Sequence, residues 1–483
     1  MPSKRRYLRS TKDDLTWQRL EEESDAWYDS IRTRDKCREV GNFLMKYKDV
    51  KPELMHTVLR GGYNVVYRLE FQDGTSLIMR VPIQGVVAFP DEKVLNEVAT
   101  MRYVAANTNI PVPRIHHYGT AAENPTGLGP FIIMDYIEHH QNMSRALLDP
   151  KLSIDDRPIL DPDIDAEKLE FLYSQMARIL LQLAALEFPR IGSLREAPGD
   201  GSISVQRRPM TVNMNEVIVH TDMPARFVPS QTYETSNDWY GALADLHMAQ
   251  LALQYNDSTA DDDDARDKYV ARKLFQRLAH ENKLWPGTSS SGDTFKLFSQ
   301  DLRPANVLLD TDLRVVGVID WEFAYAAPAQ FTFDPPWWLL LLEPDSWPGG
   351  YSEWMKVYEP RLQTFLRVLE AEEKKMAGVD GAPASSPSLS RRMRESWQER
   401  TWMIDYAARD SWAFDFIWWK FLDERFFGPN EDQDYHARLD LLSDEQKQAM
   451  EALVAAKAEE RNVRRRFKWD ENLAAARVAR LLR

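Results

Sequence analysis

The chain has 483 residues, of which 43% are apolar, 28% charged and 11% aromatic. This balance excludes a mostly disordered or low-complexity chain, and the length predicts at least two structural units. A formal charge of −14 is the wrong sign for a protein whose main task is to grip nucleic-acid phosphates. The single cysteine, Cys37, excludes an intramolecular disulfide framework and argues against a cysteine-based zinc site.

No targeting signal is recognisable in the first residues. The basic start is followed by charges rather than by an apolar stretch, and its early acidic residues argue against a transit peptide. The longest apolar run, around 337–342, is far too short to span a bilayer. We therefore expect a cytoplasmic protein that binds neither nucleic acid nor a membrane, and the sequence identifies no protein partner.

The first part of the chain divides into a helical extension and a mixed lobe. Residues 12–40 have helical spacing without internal glycine or proline, so we expect a helical extension over 1–50. Two alternating segments joined by a tight turn, then a helical segment and a short apolar strand, follow at residues 65–71, 76–83, 91–106 and 131–137. This order of elements predicts a compact α+β lobe over 51–138.

Residues 139–483 are expected to form a mainly helical lobe, with a long amphipathic segment at 167–188. The acidic run at 261–264 is interpreted as a solvated loop. A stretch rich in glycine, proline and serine predicts a flexible loop over 377–391. The basic carboxyl-terminal segment is expected to be a helix with a solvated face, which we favour over contact with nucleic acid or a membrane.

Residues 297–338 carry the most informative pattern in the chain. Asp301 and Asn306 lie five residues apart in a predicted loop, and Asp320 ends a predicted apolar strand. A carboxylate and an amide oxygen in one loop can approach one point, and a second carboxylate can complete an oxygen site for Mg²⁺. Phosphoryl transfer needs such ligands and a base that faces the acceptor hydroxyl. The alternative, three polar residues without a shared task, is disfavoured by their order and strand context.

This segment resembles the catalytic motif of the aminoglycoside phosphotransferase and choline kinase-like family, relatives of the protein kinases, and especially the branch common in fungi. The resemblance implies an α+β, two-lobed protein-kinase-like fold with a small β-rich lobe and a large helical lobe. It also implies ATP and Mg²⁺ as cofactors, and transfer of the γ-phosphoryl group to a hydroxyl of an amine- or sugar-containing metabolite or an aminoglycoside-like compound. On the family's pattern Asp301 is the catalytic residue, and Asn306 and Asp320 are the metal ligands.

The resemblance also covers the nucleotide-binding part of the first lobe. The segment 59–74 is similar to the family's nucleotide-covering hairpin, where Gly61 and Gly62 would let the backbone approach the phosphates. An ordinary hairpin entry is the alternative for these two glycines. Arg80 stands where protein kinases carry a phosphate-binding lysine, with Glu97 as its expected partner; the alternative is a surface ion pair.

Residues 131–139 resemble the hinge between the lobes, and the resemblance implies adenine contacts through backbone groups near Asp135 and Ile137. Besides Arg80, two other residues depart from the family's pattern. Ser299 replaces a histidine that is usual in the family, and Gln300 replaces a glycine of many antibiotic kinases. A nucleotide-binding pseudokinase or scaffold that acts through protein partners is therefore the alternative to an enzyme. A protein kinase proper is disfavoured because Asp320 is not followed by Phe-Gly.

Acceptor recognition would fall to the helical lobe. Within 402–419, one helical stripe carries Trp402, Asp405, Arg409, Trp412, Phe416 and Trp419. Such rings beside carboxylates could cage an amine, but a core stripe with an Asp405–Arg409 ion pair is the favoured interpretation. Asp334 is either a structural cap or an acid that faces the substrate.

Overall fold

The computed structural model describes residues 12–153, 156–285, 294–380 and 388–482. A small lobe built on an antiparallel sheet is followed by a larger, mainly helical lobe. The predicted α+β, two-lobed protein-kinase-like architecture is therefore confirmed.

Two helices precede the sheet, α1 (Asp14–Ile31) and α2 (Arg34–Leu44). Each begins at a side-chain cap: Asp13 accepts from the Thr16 N–H, and Thr33 accepts from the Lys36 N–H. Buried residues of α2, including Phe43, join the same apolar cluster as the sheet. The helical extension is thus packed against the first lobe.

The sheet of the first lobe is antiparallel and follows the order β1-β3-β4-β6-β5, with β2 also paired to β3. Alternate side chains of the third strand are buried, as expected for a sheet with one face on a core. Gly74, with φ of +78°, makes the tight turn that joins the third and fourth strands. The elements of this lobe are β1 (Pro52–Met55), β2 (Leu59–Arg60), β3 (Asn64–Phe71), β4 (Ser76–Pro82), α3 (Pro90–Asn107), β5 (Ile115–Gly119) and β6 (Phe131–Asp135).

The second lobe contains short strands that hold the loops of the site and long helices that form the largest apolar cluster. Its strands are β7 (Gln141–Asn142), β8 (Glu187–Phe188), β9 (Ser193–Glu196), β10 (Ile203–Arg207), β11 (Phe295–Ser299), β12 (Val307–Leu309), β13 (Val315–Val318) and β14 (Ala324–Pro328). Its helices are α4 (Met143–Leu147), α5 (Ala166–Ala184), α6 (Val212–Thr221), α7 (Ser236–Leu253), α8 (Asp262–His280), α9 (Ala329–Phe333), α10 (Gly350–Asp380), α11 (Leu389–Glu399), α12 (Trp402–Arg409), α13 (Phe414–Ile417), α14 (Asp423–Phe427), α15 (Asp444–Asn462) and α16 (Glu471–Leu481).

Two loop predictions differ from the structure. The acidic run is not a loop: Asp261 caps α8 and the next three aspartates form its first turn, where negative charge is favourable. The predicted flexible loop over 377–391 is also too long, because α10 continues to Asp380 and α11 begins at Leu389. Residues 381–387 of that prediction lie outside the described part of the chain.

The basic segment before α16 contacts the amino-terminal helix. Arg464 forms ion pairs with Asp14 and Asp257, and Arg466 pairs with Glu22 on α1 at 3.0 Å. These cations are therefore used within the molecule, contrary to a purely solvated face. No helix in the described ranges is both long enough and apolar enough to cross a membrane.

Candidate active site

The catalytic-loop candidate connects β11 to β12 and holds Asp301 from two sides. Asn306 Nδ2 donates to Asp301 Oδ2 at 2.9 Å and to the Asp301 carbonyl at 2.8 Å. Arg303 Nε donates to the other carboxylate oxygen at 2.7 Å. Burial raises the pKa of Asp301, although the Arg303 charge and the Asn306 hydrogen bond oppose the rise. The carboxylate is thus fixed in one orientation.

Asp320 follows β13 in a left-handed conformation, with φ of +61°. The Ile319 N–H donates to the Asn306 carbonyl at 2.9 Å, which places the strand end beside the catalytic loop. Burial raises the pKa of Asp320 to about 7; Arg80 opposes this rise, whereas Glu322 adds to it. The structure therefore places Asp320 next in sequence to a residue that is hydrogen-bonded to Asn306.

These residues fit a magnesium ion. Asp301, Asn306 and Asp320 offer carboxylate and amide oxygens, which are the ligands that Mg²⁺ prefers. A divalent cation would also favour the ionised form of Asp320, whose pKa is raised first by burial and then by the Glu322 carboxylate. A different acidic group, Asp13, Asp14 and Asp257, lies where Arg464 already pairs with two of its carboxylates.

Arg80 on β4 joins the metal-site candidate to α3. Its guanidinium forms an ion pair with Glu97 and donates to Asp320 Oδ1 at 2.5 Å. Arg80 is 6% exposed and Glu97 is 1% exposed. Burial lowers the pKa of Arg80, but the charges of Glu97 and Asp320 outweigh burial and hold it above its ordinary value. The pair is buried in the cleft, so the alternative of a surface ion pair does not hold.

The two predicted loop glycines lie between β2 and β3. The Gly61 N–H donates to the Asn64 carbonyl at 2.8 Å, and neither Gly61 nor Gly62 has a positive φ. A Cβ at Gly62 would meet no atom within 4 Å. These glycines keep the space above the hairpin open and are not required by an unusual backbone conformation.

The two hinge residues predicted to contact adenine, Asp135 and Ile137, lie at the end of β6 and just after it. The Asp135 N–H donates to the Arg114 carbonyl at 3.0 Å, and the Ile137 carbonyl accepts from His139 Nδ1 at 2.8 Å. The Ile137 side chain lies against Gly317 of β13, where a Cβ would be 2.5 Å from Ile137 Cδ1. Two of the backbone groups expected to contact adenine therefore already have partners within the protein.

The structure contains a buried polar network near the site that the sequence analysis does not predict. Glu322 forms an ion pair with Lys93 on α3 and accepts from Asn64 Nδ2 at 2.8 Å. Lys93 also donates to Asn64 Oδ1 at 2.9 Å. Burial would raise the pKa of Glu322, but the Lys93 and Arg80 charges lower it below its ordinary value. The position of Glu322, two residues after Asp320, was the one available sequence signal.

A cavity of about 120 Å³ opens beside the catalytic loop. Ser299 and Gln300, the two residues before Asp301, form part of its wall. The rest of the wall combines carboxyl groups with aromatic rings, including Asp334, Glu343, Asp410, Phe298, Phe331, Trp337 and Tyr406. Arg409 also lines the cavity, so part of this acidic and aromatic wall already faces a cation of the protein itself.

Arg409 pairs with Asp334 instead of forming the predicted ion pair with the Asp405 side chain. Arg409 Nη2 bonds Asp334 Oδ2 at 2.6 Å, and its Nε donates to the backbone carbonyl of Asp405 at 3.1 Å. The Arg409 guanidinium lies over the Phe298 and Phe331 rings. Phe416 of the predicted stripe is 58% exposed, so the stripe is not a single core face. Asp334 is thus neutralised by a buried arginine.

Comparison with known proteins gives partial matches. A subtelomeric hrmA-associated cluster protein of Aspergillus fumigatus is 29% identical over 136 residues, which cover 28% of this chain and 23% of that protein. Altered inheritance of mitochondria protein 9, mitochondrial, of Komagataella phaffii is 24% identical over 285 residues, covering 53% of this chain and 44% of that protein. The chain therefore spans less than half the length of either relative. The solved structure of a macrolide 2'-phosphotransferase type I is 15% identical, covers 89% of this chain and 98% of its own, and has a TM-score of 0.41.

These relatives correct one expectation. The prediction of a cytoplasmic protein is wrong, because the Komagataella phaffii relative and its namesakes in five further species carry a mitochondrial designation. The family model described as the phosphotransferase enzyme family matches residues 56–367, which include both halves of the site. The match covers well over half of the chain, and the chain therefore belongs to the phosphotransferase enzyme family.

Proposed function

We propose that this protein transfers the γ-phosphoryl group of ATP, with Mg²⁺, to a hydroxyl group of a small molecule that carries a cationic amine. Family membership supports a phosphotransferase of the kinase type. We infer the identities of the phosphate donor, the metal and the acceptor from the arrangement of side chains around Asp301.

Asp301 would orient the acceptor hydroxyl and accept its proton as the new O–P bond forms. Asn306 and Asp320 would hold Mg²⁺, which when bound neutralises charge on the phosphate oxygens. Arg80, fixed by Glu97, would bind the donor phosphates through its planar group of N–H donors. Catalysis would then come mostly from positioning and from preorganised charge.

We infer the chemical class of the acceptor from the acidic, aromatic cavity next to Asp301. Glu343 lines it and, among the described residues, its carboxyl group has no hydrogen bond or ion pair. Burial and the neighbouring Asp345 carboxylate raise the pKa of Glu343 to about 8. Arg409 in the wall of the cavity pairs with Asp334, and the Arg303 charge only partly offsets the rise in the pKa of Glu343. A cationic amine would give the Glu343 carboxylate a direct partner of opposite charge.

We further propose that the reaction takes place in mitochondria. This rests on the names of the relatives and not on any feature of the fold. Imaging of the full chain with a carboxyl-terminal fluorescent tag tests the placement, and diffuse fluorescence outside mitochondria would contradict it.

The function is tested by following ADP release with Mg·ATP and a panel of amino alcohols and uncharged polyols. We expect turnover with some amino alcohols, lost in Asp301→Asn and retained in Asp312→Asn, a matched change at an exposed turn residue. Turnover with none of the panel, together with intact Mg·ATP binding, would favour the pseudokinase alternative. Turnover that survives Asp301→Asn would contradict the assigned role.

A further inference from the structure

A second polar cavity lies outside the cleft, where the β9–β10 hairpin packs against α3. Its volume is about 570 Å³. The strand β9 contributes Arg195, β10 contributes Arg207, and α3 contributes Asn96. No residue assigned to phosphoryl transfer lines this cavity, so it is a separate site.

The cavity is lined by three arginines and one glutamate, so its wall has a net positive charge. Arg208 at its edge is neutralised by Glu92, to which it donates two hydrogen bonds at 2.9 and 2.8 Å. Within the described ranges, Arg195 and Arg207 have neither an ion pair nor a side-chain hydrogen bond. Burial, and then repulsion from Arg207, lower the pKa of Arg195. An anion between the two guanidinium groups would remove that repulsion.

A buried amide faces the same space. Asn96 is 5% exposed, and neither its amide nitrogen nor its amide oxygen meets a hydrogen-bonding partner in the described protein. A buried amide without partners is costly, so native proteins almost always satisfy such groups. Asn96 can donate to an anion through Nδ2 and accept from a hydroxyl through Oδ1.

We propose that this cavity binds a small phosphate monoester whose phosphate lies between Arg195 and Arg207 and whose polyol part reaches Asn96. A phosphate offers three oxygens, enough to accept from two guanidinium groups and from Asn96 Nδ2 at once. A carboxylate has two oxygens and cannot serve all three donors equally. The recessed position of Asn96 favours a small soluble molecule over a membrane surface.

Isothermal titration of the full chain with glycerol 3-phosphate tests the proposal, with inorganic phosphate and acetate as reference ligands. We expect glycerol 3-phosphate to bind most tightly and acetate most weakly. Arg207→Gln and Asn96→Leu should each weaken binding about tenfold or more, because charge-assisted hydrogen bonds are lost. Arg314→Gln is the matched control, since this exposed arginine lies outside the cavity, and it should bind like wild type.

Arg80→Ala separates this cavity from the nucleotide site, because it should leave glycerol 3-phosphate affinity unchanged. Arg207→Gln keeps the test valid if Asn96→Leu fails to fold, since Arg207 is exposed. The proposal is overturned if no phosphate binds, or if Arg207→Gln binds as tightly as Arg314→Gln. Binding to vesicles that contain phosphatidic acid, without binding of soluble phosphates, would likewise overturn it.

Discussion

At the scale of single residues, Arg80 connects the two halves of the site through Glu97 and Asp320. We expect Arg80→Ala to weaken ATP binding about tenfold or more, since charge-assisted hydrogen bonds of about 1.5–3 kcal/mol each are lost. Arg80→Lys should be intermediate, because it keeps the charge but loses the planar fork. Titration with ATP checks this order. If both variants bound ATP with the affinity of wild type, Arg80 would not contribute to nucleotide binding.

Glu97 should act through Arg80. Glu97→Ala is expected to weaken ATP binding in the same direction, and the double variant should lose less than the sum of the single losses. Circular dichroism in the near ultraviolet controls for folding, because removal of Glu97 leaves a buried cation with one fewer partner. Additive losses would mean that the two residues act independently.

Glu343 predicts how acceptor binding depends on pH. With its pKa raised to about 8, this carboxyl group is mostly neutral at pH 7 and ionises as the pH rises. The KM for a quaternary ammonium alcohol, whose own charge is constant, should therefore fall about tenfold between pH 7 and 9. Glu343→Gln should remove this dependence, whereas Glu359→Gln, at an exposed position of α10, should keep it. A KM independent of pH in wild type would contradict the assignment.

Some residues of the site can be predicted from the sequence, whereas others cannot. Asp301, Asn306 and Asp320 share a short segment, so their spacing suffices to predict that they meet. Lys93 and Glu322 are separated by more than two hundred residues, and a lysine in an amphipathic helix predicts a solvated side chain. Only the packing of α3 against the second lobe buries it. Residues paired over such separations cannot be identified from local patterns.

At the scale of elements, the Lys93–Asn64–Glu322 network ties α3, β3 and the β13–β14 connection together. Lys93→Met should destabilise the protein by about 3–5 kcal/mol, because Glu322 is left as a buried charge with one fewer partner. Urea unfolding measures the loss, and Lys51→Met, at an exposed position, should change little. Adding Glu322→Leu should recover part of the loss. No loss in Lys93→Met would show that the network contributes nothing to stability, and a loss without recovery would show that the buried Glu322 charge is not its cause.

The packing of α7 against the segment after α12 depends on a neutral histidine. His247 is fully buried, its ring bonds Ser411 Oγ at 2.7 Å, and burial lowers its pKa to about 3. The unfolded chain binds a proton near pH 6.5 and the folded chain does not, so stability is lost as the pH falls below 6.5. The loss should reach about 3 kcal/mol at pH 4. Urea unfolding at several pH values checks it.

His247→Asn should make this pH dependence shallower, because one titrating group is gone. His220, whose pKa burial also lowers to about 3, should keep the rest of it. His436→Gln, a change at an exposed histidine, serves as the control and should leave the slope as it is in wild type. An equal slope in His247→Asn and wild type would assign the acid sensitivity to other groups.

Elements with a strong period are predicted well from sequence, whereas element ends are not. The alternation of β3 and the Asp73–Gly74 turn correspond to the observed hairpin. The sequence pattern predicts a loop at the acidic run 261–264, because a run of like charges is usually solvated. In the structure these charges lie at a helix amino terminus, where the backbone N–H groups favour them.

At the scale of the whole molecule, the amino-terminal helix α1 contacts the segment between α15 and α16. Residues after α15 pair with α1, and Asn256, just after α7, donates to Asp13 at 2.8 Å. The helical extension is thus held by both lobes, and its contacts with the second lobe join residues more than two hundred positions apart. Composition and periodicity predict that two lobes exist, but not which surfaces join them.

The most direct test is the magnesium dependence of ATP binding, measured by isothermal titration on wild type, Asp320→Ala and Asp301→Asn. Wild type should bind ATP more tightly with Mg²⁺, and folded Asp320→Ala should lose that gain because a metal ligand is missing. Asp301→Asn should keep Mg·ATP binding and lose transfer by about 10²–10⁴-fold, since it lacks the base that faces the acceptor. Unchanged Mg·ATP affinity in a folded Asp320→Ala protein would contradict the proposed site.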